Sequence, residues 1–300
     1  MSAVLSVATV SAVGLTCKAF LNSGLCSIQV NGLQNLRKAL ESKRNHGIVT
    51  VCNHISTLDD PVVWGVLPAH YYLNSRTTRW ALGASDIIFT NPVFSAFFRH
   101  GQTLETFRGK GIYQEAVDTA IQKLNQGHWV HLYGEGKVNQ PNTYLRDEDG
   151  RAHLPRFKWG VGRIIMEADT PPTVIPMWLT GFDKLMPEGR TFPYKYLPRL
   201  GVKLSVTFGE PVPSEVLQSA LAVRPVDGDP TAIAEHDHLR GWVRDTAEYV
   251  EKDTDISKGK YPEPVYVSLV RQKVTAILHD HVEALGRSVS GPSLDDMPLP

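Results

Sequence analysis

Cysteine is scarce in this 300-residue chain: Cys17, Cys26 and Cys52 are an odd number without C-x-x-C spacing. A disulfide framework and a cysteine-based zinc or redox site are therefore not expected. Net charge is also lacking, since 31 Lys and Arg balance 31 Asp and Glu. With no basic run or aromatic-and-basic repeat, nucleic acid is not an expected partner. Charge is thinnest in the first 36 residues, where Lys18 is the one charged side chain. The run "SAVLSVATVSAVGLTC" before it has sixteen residues diluted by Ser and Thr, short of the ~20 a spanning helix uses. It has neither the leading positive charge of a secretory signal nor the arginines of a mitochondrial presequence, so no cleavable signal is expected. The leader, residues 1–36, fits a helix that dips into one leaflet, with Lys18 reaching back to the headgroups and "AFLNSGLCSI" near the interface. An ordinary core helix is the alternative reading of the same short apolar run.

What the chain does have is ample apolar content, 42% of residues, enough for one large domain or two small ones. Beyond the leader, strand-like and helix-like patterns alternate. "GIVTVC" (47–52) is short, β-branched and apolar, as a strand buried on both faces should be. Asp60 and Pro61 read as an N-cap and first helical residue opening "PVVWGVL". From Ile112, apolar residues recur at Ala116, Val117, Ala120, Ile121 and Leu124, a helical period closed by Gly127. "HWVHLY" (128–133), "TVIPMWL" (173–179) and "GVKLSVTFG" (201–209) read as strands, and "KWGVGRIIMEA" (158–168) as a helix. This order predicts an α/β fold with a mostly parallel central sheet flanked by helices, and chemistry in the loops leaving the strands' carboxyl ends. The expected organisation is a leader (1–36), a catalytic domain (37–222) and a helical C-terminal extension (223–300) ending in a disordered tail from "SVSGPSLDDMPLP".

The loop "NHISTLDD" after the first of these strands holds the densest chemistry. His54 and Asp59 are five apart, which on a continuous helix would separate them by about 140°, but in a strand-to-helix loop they can meet. Ser56 and Thr57 can satisfy loop amides, Asp60 can cap the helix, and Asp59 can hold one imidazole nitrogen so that the other takes a proton from an alcohol. An isolated H-x4-D match is common by chance and more often marks a capped loop. Here it is followed in order by "RGKG", "GEGKVN", "RFKWGVGR" and "VIPMW". That series resembles the glycerolipid acyltransferases over approximately residues 30–215, and within them the phospholipid–lysophospholipid transacylases that remodel cardiolipin. The resemblance implies an α/β acyltransferase fold, monotopic attachment to mitochondrial membranes facing the intermembrane space, and acyl exchange without coenzyme A. It implies His54 and Asp59 as the catalytic pair. The family's Pro-Glu-Gly box reads Gly134-Glu135-Gly136 in this chain, and glycine there should loosen the turn that aims Glu135.

Other residues join as candidate substrate contacts. Arg108, Gly109, Lys110 and Gly111 precede the helix expected near Ile112, so cations, glycine backbone and a helix N-terminus would converge on a phospholipid headgroup. Glu135 stands between two glycines at a strand end, suited to binding glycerol hydroxyls, orienting a basic side chain, or pairing with Lys137 or Arg163. Amides near Gly134 to Gly136 are candidate oxyanion donors. Lys137, Arg156, Lys158 and Arg163 add positive charge, and residues 151–208 hold nine Lys or Arg against four Asp or Glu, a bias that suits anionic lipids as well as a solvated face. "GFDKLMPEGRTFPYKYLPRL" (181–200) mixes aromatics, prolines and bases as an interfacial segment does, or is an irregular loop on the sheet. Residues 140–155 read as an inserted surface loop turning at "DEDG". Residues 227–255, with nine acidic and three basic side chains, read as a water-facing helix, while Val267, Val270, Val274, Ile277 and Leu278 predict a helix packed back on the domain. His279 and His281 are on different helix faces and poor joint metal ligands.

The expected chemistry uses no cofactor: phospholipid and lysophospholipid are the substrates, a membrane is the surface, and an oligomer is compatible. Three rivals stand beside it. An acyl-CoA-dependent acyltransferase would use the same pair; a Cys52 nucleophile beside His54 would make a hydrolase; and a lipid-binding scaffold would follow if Gly134 had disabled the turn.

Overall fold

The computed structural model describes residues 2–222 and 265–295. The acidic stretch 227–255 lies outside them. The strands are β1 (Ser27–Asn31), β2 (Ile48–Cys52), β3 (Arg79–Ala84), β4 (Thr103–Thr106), β5 (Trp129–Tyr133), β8 (Thr173–Thr180) and β9 (Lys203–Phe208), with a small hairpin of β6 (Leu145–Arg146) and β7 (Ala152–His153). Between them run α1 (Ala3–Asn22), α2 (Leu33–Glu41), α3 (Asp59–Val62), α4 (Ser85–Ile88), α5 (Pro92–His100), α6 (Glu115–Asn125), α7 (Trp159–Met166), α8 (Phe182–Leu185) and α9 (Ser214–Leu221), and a long α10 (Val265–Ser290) follows. The seven-stranded sheet has the order β1-β9-β8-β2-β5-β3-β4. Five neighbours, β8, β2, β5, β3 and β4, run parallel, and β9 with β1 runs against them. One rim of the sheet therefore carries the loops after β2, β5, β3, β4 and β8.

β2 is the centre of the sheet, and its alternation builds both layers. Val49 and Val51 pack with Val117, Leu124, Ile164 and Val274 beneath α6, α7 and α10, while Ile48 and Cys52 pack with Trp64, Trp129 and Phe208 on the other face. All five β2 side chains are buried, as a central parallel strand requires. Burying each large aromatic of this set contributes about 1.5–3 kcal/mol.

α1 lies against the second layer by one face. Gly14 meets the Tyr72 ring and Gly65 meets the Cys17 backbone, each so closely that a Cβ would sit 2.7 Å from its neighbour. Ser6 Oγ donates to the His100 carbonyl and Ser11 Oγ to that of Tyr72. The expectation that Lys18 reaches headgroups is corrected: its Nζ donates to the Gly65 and Leu67 carbonyls at 3.2 and 2.9 Å. The carbonyls at the end of a 3-10 turn lack intrahelical partners, and the lysine satisfies them.

Three other expectations change. Asp60 does not cap a helix; its carboxylate pairs with the Arg79 guanidinium, whose Nε donates to Oδ2 at 2.7 Å. Residues 140–155 turn at Asp147 to Gly150 as expected, but they are no free loop. Tyr144, Ala152 and Leu154 are buried, and His279 Nε2 bonds the Leu154 carbonyl at 3.0 Å. The tail from Ser288 is ordered through Asp295: α10 continues to Ser290, which accepts from Trp178 Nε1, and Leu294 is buried. α10 packs on α7, β8 and α9 along Val270, Val274, Leu278 and Val282.

Candidate active site

The buried end of β2 launches His54 onto the rim, and hydrogen bonds hold the loop that follows. Asn53 clamps the backbone of Leu179, donating to its carbonyl and accepting from its amide, both at 2.9 Å. The His54 amide donates to Glu135 Oε1 at 2.8 Å, and the His54 carbonyl accepts from the Asn139 amide at 2.7 Å. Both sides of that residue's backbone are thus bonded by the loop after β5. The His54 ring stacks on Tyr133, centroids 4.1 Å apart.

Asp59 Oδ2 lies 2.8 Å from His54 Nδ1 and accepts the Ile55 and Ser56 amides at 2.8 and 2.9 Å. Three donors on one oxygen fix the carboxylate, and the carboxylate fixes the ring. Asp59 is fully buried, and burial pushes its carboxyl up, opposed by the His54 ring and the Ser56 and Ile55 amides. His54 is partly exposed, and its Nε2 has no hydrogen-bond partner among the described residues. The arrangement is an oriented imidazole with one free nitrogen at an open rim, which is what a general base needs.

Glu135 is almost fully buried and does not pair with Lys137 or Arg163. Its two oxygens take the His54 amide and Asn139 Nδ2. Burial pushes its carboxyl up to about 8, against the pull of those two donors. Its role in this structure is to position the His54 peptide. Asn139 is the residue that sequence reasoning missed; it lies in the quoted "GEGKVN" run, four after Glu135, close enough to share that carboxylate. Gly136 takes φ +69°, a glycine conformation, with its N–H donating to the Tyr133 carbonyl. The Gly134 N–H donates to the Cys52 carbonyl, so among the described residues Glu135 N–H is the one candidate oxyanion amide in this turn with no bonded acceptor.

Gly134 does not loosen the turn. Its carbonyl accepts from the Lys158 amide at 2.8 Å, and an added Cβ would sit 2.4 Å from the ring of buried Phe157. The aromatic ring fills the space a side chain would occupy. Gly134→Pro is therefore expected to destabilise by about 1–3 kcal/mol and to lower activity rather than raise it; thermal unfolding beside an activity assay checks this.

The other candidates are spread along the rim. Arg108 is exposed, 3.5 Å from Asp86, and Gly109 and Gly111 both take positive φ. The expected helix N-terminus is not there: α6 begins at Glu115, and the "RGKG" turn is tied instead by Gln114, whose Oε1 accepts from the Phe107 amide and whose Nε2 donates to the Gly111 carbonyl. Lys137 is exposed. Arg163 is buried and engaged by Asp118, Glu167 and the Ile112 carbonyl, at 2.7 to 3.0 Å, with its guanidinium over Tyr113. It braces the segment leading into α6, and these contacts do not hold it out to substrate. Cys52 is fully buried and faces His131 Nε2 at 3.5 Å, and burial pushes its thiol well up. A thiolate nucleophile does not fit that position. His131, bonded to Thr50 at 2.7 Å, is driven down to about 3 by burial and is a neutral core residue. No metal-binding cluster of His, Cys, Asp or Glu occurs among the described residues.

This geometry coincides with a family match. The family model described as Acyltransferase covers residues 27–180, more than half of the chain. The chain belongs to the acyltransferase family. It is 39% identical over 214 residues to the tafazzin of Drosophila melanogaster, covering 70% of this chain and 52% of that one. It is 33% identical over 212 residues to a protein of Dictyostelium discoideum named taffazin, covering 69% of each. It is also 41% identical over 170 residues to the N-acylphosphatidylethanolamine synthase of Arabidopsis thaliana, 56% of this chain and 57% of that one. The chain spans about half the length of the fly relative. His54 to Asp59 and Glu135 all fall inside the matched region.

Proposed function

We propose that this acyltransferase exchanges acyl groups between phospholipids and lysophospholipids without coenzyme A, with His54 as general base. The observation that carries the assignment of His54 as base is its Nδ1 contact to buried Asp59 at 2.8 Å with Nε2 left free, and the CoA-free donor is proposed on the likeness to tafazzins. In this reading a lysophospholipid hydroxyl gives its proton to Nε2, and the resulting alkoxide attacks an ester carbonyl of a second phospholipid. Asp59 stabilises the imidazolium. Glu135 N–H, Arg108 and Lys137 are the proposed groups to meet negative charge on the carbonyl oxygen or the headgroup. The imidazolium then protonates the departing glycerol oxygen, and one ester has replaced another. Cardiolipin is the proposed lipid and the intermembrane-space face of mitochondrial membranes the proposed place, both on the likeness to tafazzins.

Membrane attachment is proposed as monotopic. α1 is long and apolar enough to cross a bilayer by length and composition alone, but Ser6, Ser11, Gly14, Cys17 and Lys18 bind it to the domain along its length. Val4, Leu5 and Leu15 face outward, so the helix suits lying in the interface. The rim segment after β8, with Phe192, Tyr194, Tyr196, Leu197 and Leu200 exposed, is a second proposed contact.

The test uses purified protein with a labelled phospholipid donor and a lysophospholipid acceptor, with and without acyl-CoA. Transfer in the absence of CoA is the expected result; transfer only with acyl-CoA would replace the reading with its rival. The plant relative's name favours one more arm, phosphatidylethanolamine as acceptor, because the same base can deprotonate an amine.

A further inference from the structure

α5 has only a shallow inner face: Phe98 meets the Phe89 ring, and Ser95, Phe98 and His100 are half-buried. Asn91 caps it, accepting from the Phe94 amide, and Pro92 opens it, yet none of its nine residues is buried. Val93, Phe94 and Phe97 are 75%, 52% and 47% exposed. A surface helix ordinarily turns its apolar stripe to the core, and nine residues are too few to be stable in water on propensity alone. Other exposed apolar side chains stand on neighbouring elements. Ile87 of α4 and Phe107 after β4 are exposed, and both follow strand ends on the rim that carries His54. At its other end α5 meets α1, where Ser6 Oγ donates to the His100 carbonyl and Val4 and Leu5 are bare.

Cations border this surface. Arg99 stands over the Phe89 ring and pairs with Glu105 at 2.6 Å, Lys110 stands over Phe107, and Arg108, between them in sequence order, is 3.5 Å from Asp86. Aromatic side chains bordered by basic ones match the depth profile of a bilayer interface, acyl chains below and anionic headgroups above.

We propose that α5 is a lipid-inserting helix, paired with α1 in one apolar face, and that its occupant is the bilayer surface. The proposal deepens the monotopic reading above and rests on α1 lying in the interface. Placed so, the edge of the sheet beyond β4 sinks toward the acyl chains, and the rim bearing His54 meets lipid at headgroup depth. Substrate then reaches Nε2 sideways from the leaflet.

The experiment uses the full chain and vesicles of phosphatidylcholine, with or without an anionic phospholipid. Phe94→Asp with Phe97→Asp should lower partition into vesicles roughly 10-fold or more, while Gln122→Asp with Asn125→Asp, exposed positions on α6 in the opposite layer, should not. The three native cysteines are buried, so an environment-sensitive probe on Val93→Cys reports locally. It should shift to the blue on adding vesicles and be quenched by nitroxides on the acyl chains, while the same probe on Gln122→Cys should not respond. Equal partition with an unquenched probe would overturn the proposal. So would a probe that is already shifted in lipid-free protein, with the aspartate variants converting a dimer to a monomer, because the face would then cover a second copy. Transfer between detergent-dispersed lipids should be unchanged by the α5 substitutions. If the parent transfers nothing yet partitions through Phe94 and Phe97, the proposal stands while the assigned reaction falls.

Discussion

Asp59→Asn should lower acyl transfer by roughly 100- to 10,000-fold while the protein stays folded. The amide oxygen can take the Oδ2 position and keep the His54, Ile55 and Ser56 donors, so the loop and the ring orientation survive. What is lost is the negative charge opposite the imidazolium, in a buried site where such a charge acts strongly. Asp59→Ala is the harsher change. It leaves the His54 ring nitrogen and two loop amides without their acceptor, at about 1–3 kcal/mol for each buried group. Transfer kinetics beside thermal unfolding separate the two effects: the asparagine variant should fail in rate alone, the alanine variant in both.

Glu135 has the second large effect, and it is a matter of pH. Its carboxyl sits at about 8 in the folded protein because it is buried, against an ordinary glutamate near 4.3 when unfolded. The folded state therefore holds a proton that the unfolded state releases between those values. Stability on this account is fully present at low pH and declines as pH rises from about 4.5 through about 8, with a limiting slope of ~1.4 kcal/mol per pH unit. Glu135→Gln removes the titration and keeps an oxygen for the His54 amide, so its unfolding midpoint should fall less than the parent's between pH 6 and pH 9. Glu135→Ala removes the acceptor altogether. A displacement of the His54 backbone by about 1 Å would cost on the order of 100-fold in rate, and transfer assays at fixed pH should show a loss of that size.

The parts of the fold legible in the sequence were those governed by continuous burial. "GIVTVC", "HWVHLY" and "TVIPMWL" match β2, β5 and β8 within a residue or so, because a strand covered on both faces has to be apolar throughout. β1, β3 and β4 escaped notice. They stand at or near the sheet's two edges, are only partly buried, and contain Gln, Arg and Glu. The His54 and Asp59 pair was readable from order and spacing, since a loop needs only local reach to join residues five apart. Contacts that cross the fold were not. Lys18 on the Gly65 and Leu67 carbonyls, Arg79 on Asp60, Arg163 on Asp118, and Phe157 filling the space at Gly134 each join segments far apart in sequence. Such partners depend on topology, and a charge or a glycine read by itself suggests substrate or strain where the fold has supplied a neighbour.

The most direct test of the account is His54→Ala in the CoA-free transfer assay, with circular dichroism and vesicle binding measured on the same preparation. The ring projects from a loop whose backbone is held by Glu135 and Asn139, so its removal should leave fold and membrane binding intact. Transfer should fall by roughly 100- to 10,000-fold. A folded, lipid-bound His54→Ala protein that transfers acyl groups at the parent's rate would contradict the assignment of His54 as the base.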